Sequence, residues 1–152
     1  MAQTANISFR INTRAPLILI DGVVNGDTAV RFVVDTGAST TVISSEVATR
    51  ARVTIKKRRA KAIGADGSQS AKIATLTSLS VGKIRVANLG AAVMDLGSLN
   101  HATRLNIGGI LGFNFLKRYT TTINYAQRTI RFVPLVRPTR AVQQRQSGSI
   151  SR

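Results

Sequence analysis

Val33-Val34-Asp35-Thr36-Gly37-Ala38-Ser39 sets a carboxylate at the end of an apolar run and follows it at once with small residues. The 152-residue chain has 6 acidic residues against 22 lysines and arginines, so an Asp in that setting calls for a chemical reason. Where a strand leaves a core, partial burial disfavours the charged carboxylate, and such tuning is what a general acid or base needs. Thr36 adds a hydroxyl. Gly37 permits a turn that a Cβ obstructs and lets another chain or a substrate come close. Asp35 to Ser39 therefore reads as an active-site loop.

Asp35-Thr36-Gly37-Ala38-Ser39 after two hydrophobic residues resembles the catalytic signature of aspartic proteases, and Ala38 makes it similar to the retroviral type. Gly109-Ile110-Leu111-Gly112-Phe113-Asn114-Phe115-Leu116 resembles the loop and short helix that close the same fold. The resemblance spans roughly residues 7 to 135, a length usual for one domain. It implies an all-β, retropepsin-like acid protease barrel with one or two short helices and a flap hairpin. Asp35 would be catalytic, Thr36 would brace a second subunit, Gly37 would let two loops meet, and Gly112, with Ile110 and Leu111, would support Asp35 from behind.

That chemistry needs two carboxylates sharing a proton, because like charges about 3 Å apart cannot both ionise. Asp21, Asp27, Glu46, Asp66 and Asp95 are the other acids, and none sits in a second Asp-Thr/Ser-Gly sequence. The second carboxylate must come from another copy. The expectation is a homodimeric aspartic endopeptidase in which paired Asp35 carboxylates activate a water against a peptide or protein substrate, without cofactor or metal. Pepsin-like sites, by resemblance, carry a Ser where this chain has Ala38, which implies work in milder acid than pepsin's.

Composition bounds the alternatives. With no cysteine there is no disulfide framework and no thiolate chemistry. His101 is the single histidine, too little for a zinc site. A Ser-His-Asp triad built on it would need its partners placed by the fold, and a lone histidine is usually structural. Apolar runs such as Leu17 to Ile20 are too short to span a bilayer, so no membrane segment is expected in this chain; its compartment is left open. A net charge of +16 supports a competing reading, a non-catalytic basic dimeric module that binds nucleic acid or anionic surfaces. The run Lys56 to Lys61 would carry weak polyanion binding, or serve only as a solvated strand face.

Elements must position the loop. Asn6 to Ile11 alternates as one strand with Ile7, Phe9 and Ile11 on one face, and Pro16 forces a new strand at Leu17. Asp21-Gly22 is expected to bulge, and Asn25-Gly26 is the strongest hairpin signal. Thr28, Val30, Phe32 and Val34 then share a face on the strand that leads to Asp35. Ser44 is expected to cap a short helix ending near Arg52. The flap is expected to turn at Gly64, Ala65, Asp66, Gly67 and Ser68, its return carrying Ile73, Thr75, Thr77, Leu79 and Val81 on one face. Ile84 to Leu96 reads as a strand pair or one long edge strand, Gly97 to Asn106 as turn, Phe113 to Arg118 as a helical turn, and Tyr119 to Val133 as a hairpin. Residues 1 to 136 are expected to form the domain and 137 to 152 a disordered basic tail.

Overall fold

The computed structural model describes residues 3–64 and 67–135, with side chains 58–69 excluded. The expected tail over 137–152, the flap-tip residues Ala65 and Asp66, and the side chain of Ser68 lie outside the described residues.

Alternating patterns and tight turns build a mostly β structure. β1 (Ala5–Ser8), β2 (Arg10–Ile11), β3 (Ile18–Val24) and β4 (Thr28–Val34) come first, followed by β5 (Thr41–Ser44) and α1 (Ser45–Arg50). β6 (Thr54–Gly64), β7 (Gly67–Val81) and β8 (Ile84–Met94) form the central meander. α2 (Gly97–Thr103), β9 (Gly109–Leu111), α3 (Phe113–Leu116), β10 (Tyr119–Asn124) and β11 (Thr129–Pro134) complete it.

The large sheet runs β2-β3-β4-β9-β5-β8-β7-β6. β3 also pairs with β7 through Val23 with Ser80 and Val24 with Leu79, which closes β3, β4, β9, β5, β8 and β7 into a barrel and leaves β6 outside as an edge. β9 lies between β4, to which it is parallel, and β5, to which it is antiparallel. A smaller sheet, β1-β11-β10, packs beside it. There Phe132 meets Phe115 and Tyr119 edge-on, with ring centroids 6.0 and 5.7 Å apart, a geometry that adds to the gain from burial. Burial pushes the Tyr119 phenol above its ordinary value, and the Arg118 guanidinium opposes this.

The Asn25-Gly26 turn has φ of 52° and 90° at those residues, the left-handed conformations that Asn and Gly tolerate. Asn25 is also pinned from both sides, its Oδ1 accepting from the Thr77 amide at 2.9 Å and its Nδ2 donating to the Ala51 carbonyl at 2.9 Å. Ser44 caps α1, its Oγ accepting from the Val47 amide at 3.1 Å, as the sequence reading expects.

Five local expectations need correction. The segment Asn6 to Ile11 is divided at Phe9 between the two sheets, because Phe9 is buried and its amide donates to Arg128 rather than to a strand neighbour. Asp21-Gly22 does not bulge, since β3 and β4 stay in one register from Leu19–Val33 to Val24–Thr28. Gly22 is small for another reason: a Cβ there would stand 2.9 Å from the Ser80 carbonyl of β7.

β7 does not bury one continuous face, for Ala74 and Leu76 are buried above Thr77 and Leu79 and Val81 below it. The Thr77–Asn88 pair is missing from an otherwise continuous ladder, and there the strand exchanges β6 for β3 as its second neighbour. β8 is one strand, interior rather than edge, flanked by β7 and β5. Gly97 to Asn106 contains the helix α2, whose apolar Leu99 packs with Leu105 against a satellite core. Its composition hid the helix because it buries no residue fully and has no side-chain cap.

Candidate active site

β4 delivers Asp35, and the parallel strand β9 delivers Gly112 beside it. The Asp35 amide donates to the Leu111 carbonyl at 3.1 Å, so the two loops are joined at the point where both strands end. A reverse turn follows: the Ala38 amide donates to the Asp35 carbonyl at 3.3 Å, and the Gly37 amide donates to Asp35 Oδ1 at 2.8 Å. The Phe113 amide then donates to the Ala38 carbonyl at 2.7 Å, tying the start of α3 to the loop. One carboxylate oxygen is thus fixed by backbone.

Close approach explains Gly112. A Cβ there would lie 2.6 Å from the Thr40 carbonyl group and 2.9 Å from the Ala38 oxygen, so any side chain would push the two loops apart. Leu111 is fully buried behind them, and Ile110, alternating to the other face of β9, is half-buried. Gly37 is different from what its sequence context implies. Its φ is not left-handed, and a Cβ would meet only Asp35 Oδ1, at 3.2 Å; the turn itself tolerates a side chain, and what a side chain would crowd is the carboxylate.

Asp35 is exposed, as are Thr36, Gly37 and Ser39, with Ala38 half-buried. The expectation of a partly buried carboxylate fails for the single chain, because β4 ends at Val34 and the side chain emerges beyond the core. The site is an open surface.

With that geometry in place, the comparisons are informative. The model of the gag-polyprotein putative aspartyl protease family matches residues 20–118. The chain belongs to that family. A retropepsin-like aspartic protease from Rickettsia conorii of known crystal structure is similar in fold, at 24% identity, with a TM-score of 0.62 over 86% of this chain and 91% of that one. No curated protein sequence matches. The all-β, retropepsin-like architecture is therefore shown, and family and fold together indicate an aspartic protease of retropepsin type.

Two residues behind this loop escaped the sequence reading in their roles. Thr41 is fully buried, and its Oγ1 accepts from the Gly112 amide at 3.3 Å while donating to Asn114 Oδ1 at 2.8 Å. Asn114 Oδ1 also accepts from the Thr41 amide at 2.8 Å, and its Nδ2 donates to the Gly90 carbonyl at 2.7 Å. Asn114 thereby clasps β5, β8 and α3 behind the loop. The available signal was a Thr opening the apolar run Thr41-Val42-Ile43, where a buried hydroxyl must find a partner.

The flap hairpin is present: β6 and β7 pair up to Gly64 opposite Gly67. His101 sits exposed on α2, and no group of three His, Cys, Asp or Glu among the described residues could hold a metal. No helix among them is long and apolar enough to cross a membrane.

Proposed function

We propose that the chain is an active homodimeric aspartic endopeptidase whose two Asp35 carboxylates meet on a two-fold axis. The observation that carries this is the bracing of the Asp35 loop from behind by Leu111 and Phe113, since the carboxylate's own contact, one backbone amide at 2.8 Å, is the same in kind as that of Asp95. Asp21 is bound to Arg10 and Arg31, Glu46 to Arg50, Asp27 to the Thr28 hydroxyl and Asp95 to the Gly97 amide. Asp35 alone of these stands at a loop braced from behind and open in front. A second copy would complete it.

In the mechanism, one Asp35 is protonated and the other ionised. The ionised one takes a proton from a bound water as that water attacks the peptide carbonyl. The protonated one hydrogen-bonds the developing oxyanion and then protonates the leaving amine. Exposed Thr36 is assigned to brace the partner's loop, and Gly37 to let the loops meet with both carboxylates uncrowded. Ala38 and Ser39 complete the loop, and the flap from Gly64 to Ser68 closes over substrate. Ile110, Leu111 and Gly112 hold Asp35 from behind.

Register supplies a floor for substrate. Val33 pairs with Ile110, Ile110 with Val42, and Val42 with Ala92. Val33 lies two residues before Asp35, so this apolar row shares the face on which Asp35 emerges. Val33 and Val42 are themselves buried in the satellite core, so apolar side chains next to the scissile bond would rest on the half-buried members of the row, Ile110 and Ala92.

A peptide-library digest at several pH values, with wild type and Asp35→Asn in parallel, tests the proposal. Cleavage by wild type alone is expected, with specific activity falling on dilution near the dimer dissociation constant. Equal cleavage by both proteins would remove Asp35 from the mechanism. Flat specific activity in strictly monomeric samples would remove the dimer. Polyanion binding without any cleavage would favour the basic binding module.

A further inference from the structure

The apolar floor does not stop at Ala92. Ala92 pairs with Ile73 of β7, so the row Val33–Ile110–Val42–Ala92–Ile73 runs across five strands from the strand of Asp35 to the base of the flap. What stands opposite Ile73 on the edge strand is unusual. Ile55 pairs with Ala74 and Arg59 with Lys72, so four steps along β6 answer two steps along β7. Lys56, Lys57 and Arg58 together face Ile73 alone, in a bulge with two extra residues. Of the run Lys56 to Lys61, expected as a solvated strand face, the first three residues break the ladder and the last three pair with β7 in register.

Bulges are over-represented at sheet edges and next to active sites, where they re-aim side chains. Lys56 and Lys57 are exposed, and no carboxylate pairs with either among the described residues, whose ion pairs use Arg10, Arg31 and Arg50. Cations on an outer strand and bulges that twist it both discourage edge-to-edge pairing, and that is the competing use that the experiment must separate. The bulge puts the two exposed lysines, Lys56 and Lys57, at the end of the apolar row. Strands about 4.8 Å apart place it at most about 24 Å from the Asp35 strand along the curved sheet, a reach that about seven extended residues cover.

We infer that Lys56 and Lys57, in the bulge between Ile55 and Arg59, select peptide substrates carrying acidic side chains several residues from the scissile bond. This rests on the protease reading. The floor would take the apolar residues at the bond, and the bulge would engage the acidic ones further out.

The test compares matched fluorogenic peptides with three Glu, three Gln or three Lys placed four to seven residues from one cleaved bond. For wild type at low ionic strength, kcat/KM for the Glu peptide is expected to exceed that for the Gln peptide by about tenfold, expressed in KM, with the Lys peptide poorer still. Raising salt from about 0.05 M to about 0.5 M should collapse the ratio, since screening at the higher strength leaves little interaction beyond a few ångströms.

Lys56→Ala/Lys57→Ala should bring the Glu/Gln ratio close to one. Lys72→Ala should leave that ratio as in wild type, because Lys72 adjoins Ile73 and alternates to the opposite face. Equal loss from Lys72→Ala would mean that net charge, not the bulge, sets preference, and would overturn the inference. So would a wild-type ratio near one with Gln-peptide cleavage intact, which leaves the protease standing and reduces the bulge to edge protection. Single-stranded RNA inhibiting all three peptides while their ratios stay near one would reassign the bulge to nucleic acid. Absence of cleavage of any peptide would sink both readings together.

Discussion

Asp35 and Asp21 are served by the same strand, and they are used in opposite ways. β4 carries Arg31, which pairs with Asp21 of β3 in the ladder, and four residues later it releases Asp35. By alternation Arg31, Val33 and Asp35 share a face, so a salt-bridged end and an open end are separated by one apolar residue, about 13 Å along the strand. At one end Arg10 donates twice to Asp21, at 2.9 and 2.7 Å, and Arg31 Nε lies 3.8 Å away. At the other end Asp35 is held only by the backbone of its own loop. A carboxylate with two guanidinium partners has its charge spent on them. One fixed through a single oxygen by a backbone amide keeps the other for chemistry.

The largest expected effect breaks that contrast at its functional end. Asp35→Asn should lower kcat/KM by about 10²- to 10⁴-fold, the range for loss of a general acid or base, while the urea midpoint stays where it is. Asn keeps an oxygen for the Gly37 amide, and the side chain is exposed, so little stability depends on the charge. A large fall in the midpoint would show that Asp35 is structural like Asp21, and the distinction would disappear.

Next come the residues that hold the open end from behind. Gly112→Ala places a Cβ 2.6 Å from the Thr40 carbonyl group, a backbone clash with no flexible side chain to yield, and should cost about 1–3 kcal/mol together with most of the activity. Thr41→Val keeps volume but leaves the Gly112 amide without its acceptor and deprives Asn114 of a donor; about 1–3 kcal/mol is again expected. The two can be told apart. Thr41→Val should spare more activity per unit of lost stability, since no loop is displaced. Denaturant unfolding alongside kcat/KM on one peptide measures both, and an unchanged midpoint in Thr41→Val would show that the buried hydroxyl contributes nothing.

How far these ends were legible beforehand depends on whether the signal was local. The Asn25-Gly26 turn, the Ser44 cap and the Asp35 loop are each written in a few adjacent residues whose conformational preferences agree with the fold. The bulge at Lys56 to Arg58 is not, because it exists only as a mismatch between β6 and β7, and neither strand's pattern shows it. The exposure of Asp35 was misjudged for a similar reason: the apolar run before it was read as burying the carboxylate, whereas the core ends one residue earlier. Gly112 was placed behind Asp35 by resemblance, but that it meets Thr40 and Ala38 required the crossing of β9 between β4 and β5. The helix α2 was missed because its amphipathic signal is weak and its partners, Leu105 and the satellite core around Val33 and Val42, are assembled from distant strands.

The smallest expected effect tests the structural end. Asp21 and Arg10 make two short contacts, yet their side chains are 66% and 57% exposed, so water and salt screen most of the attraction. Exposed pairs of this kind are worth about 0.2–1 kcal/mol. Asp21→Asn should therefore lower the unfolding free energy by an amount in that range, with no change in kcat/KM on a neutral peptide. Arg31 complicates the estimate, for its Nε is buried without a hydrogen-bond partner and Asp21 is the nearby charge that compensates it; removing Asp21 leaves Arg31 less well matched than Arg10. A double-mutant cycle resolves this. Coupling of Asp21 to Arg31 is expected to persist at high salt, because it is the less exposed pair, while coupling to Arg10 fades. If both couplings vanish alike with salt, burial of Arg31 carries no weight. If Asp21→Asn instead lowers kcat/KM severalfold, the charge at this end of β4 reaches Asp35 across Val33, and the two carboxylates are one system.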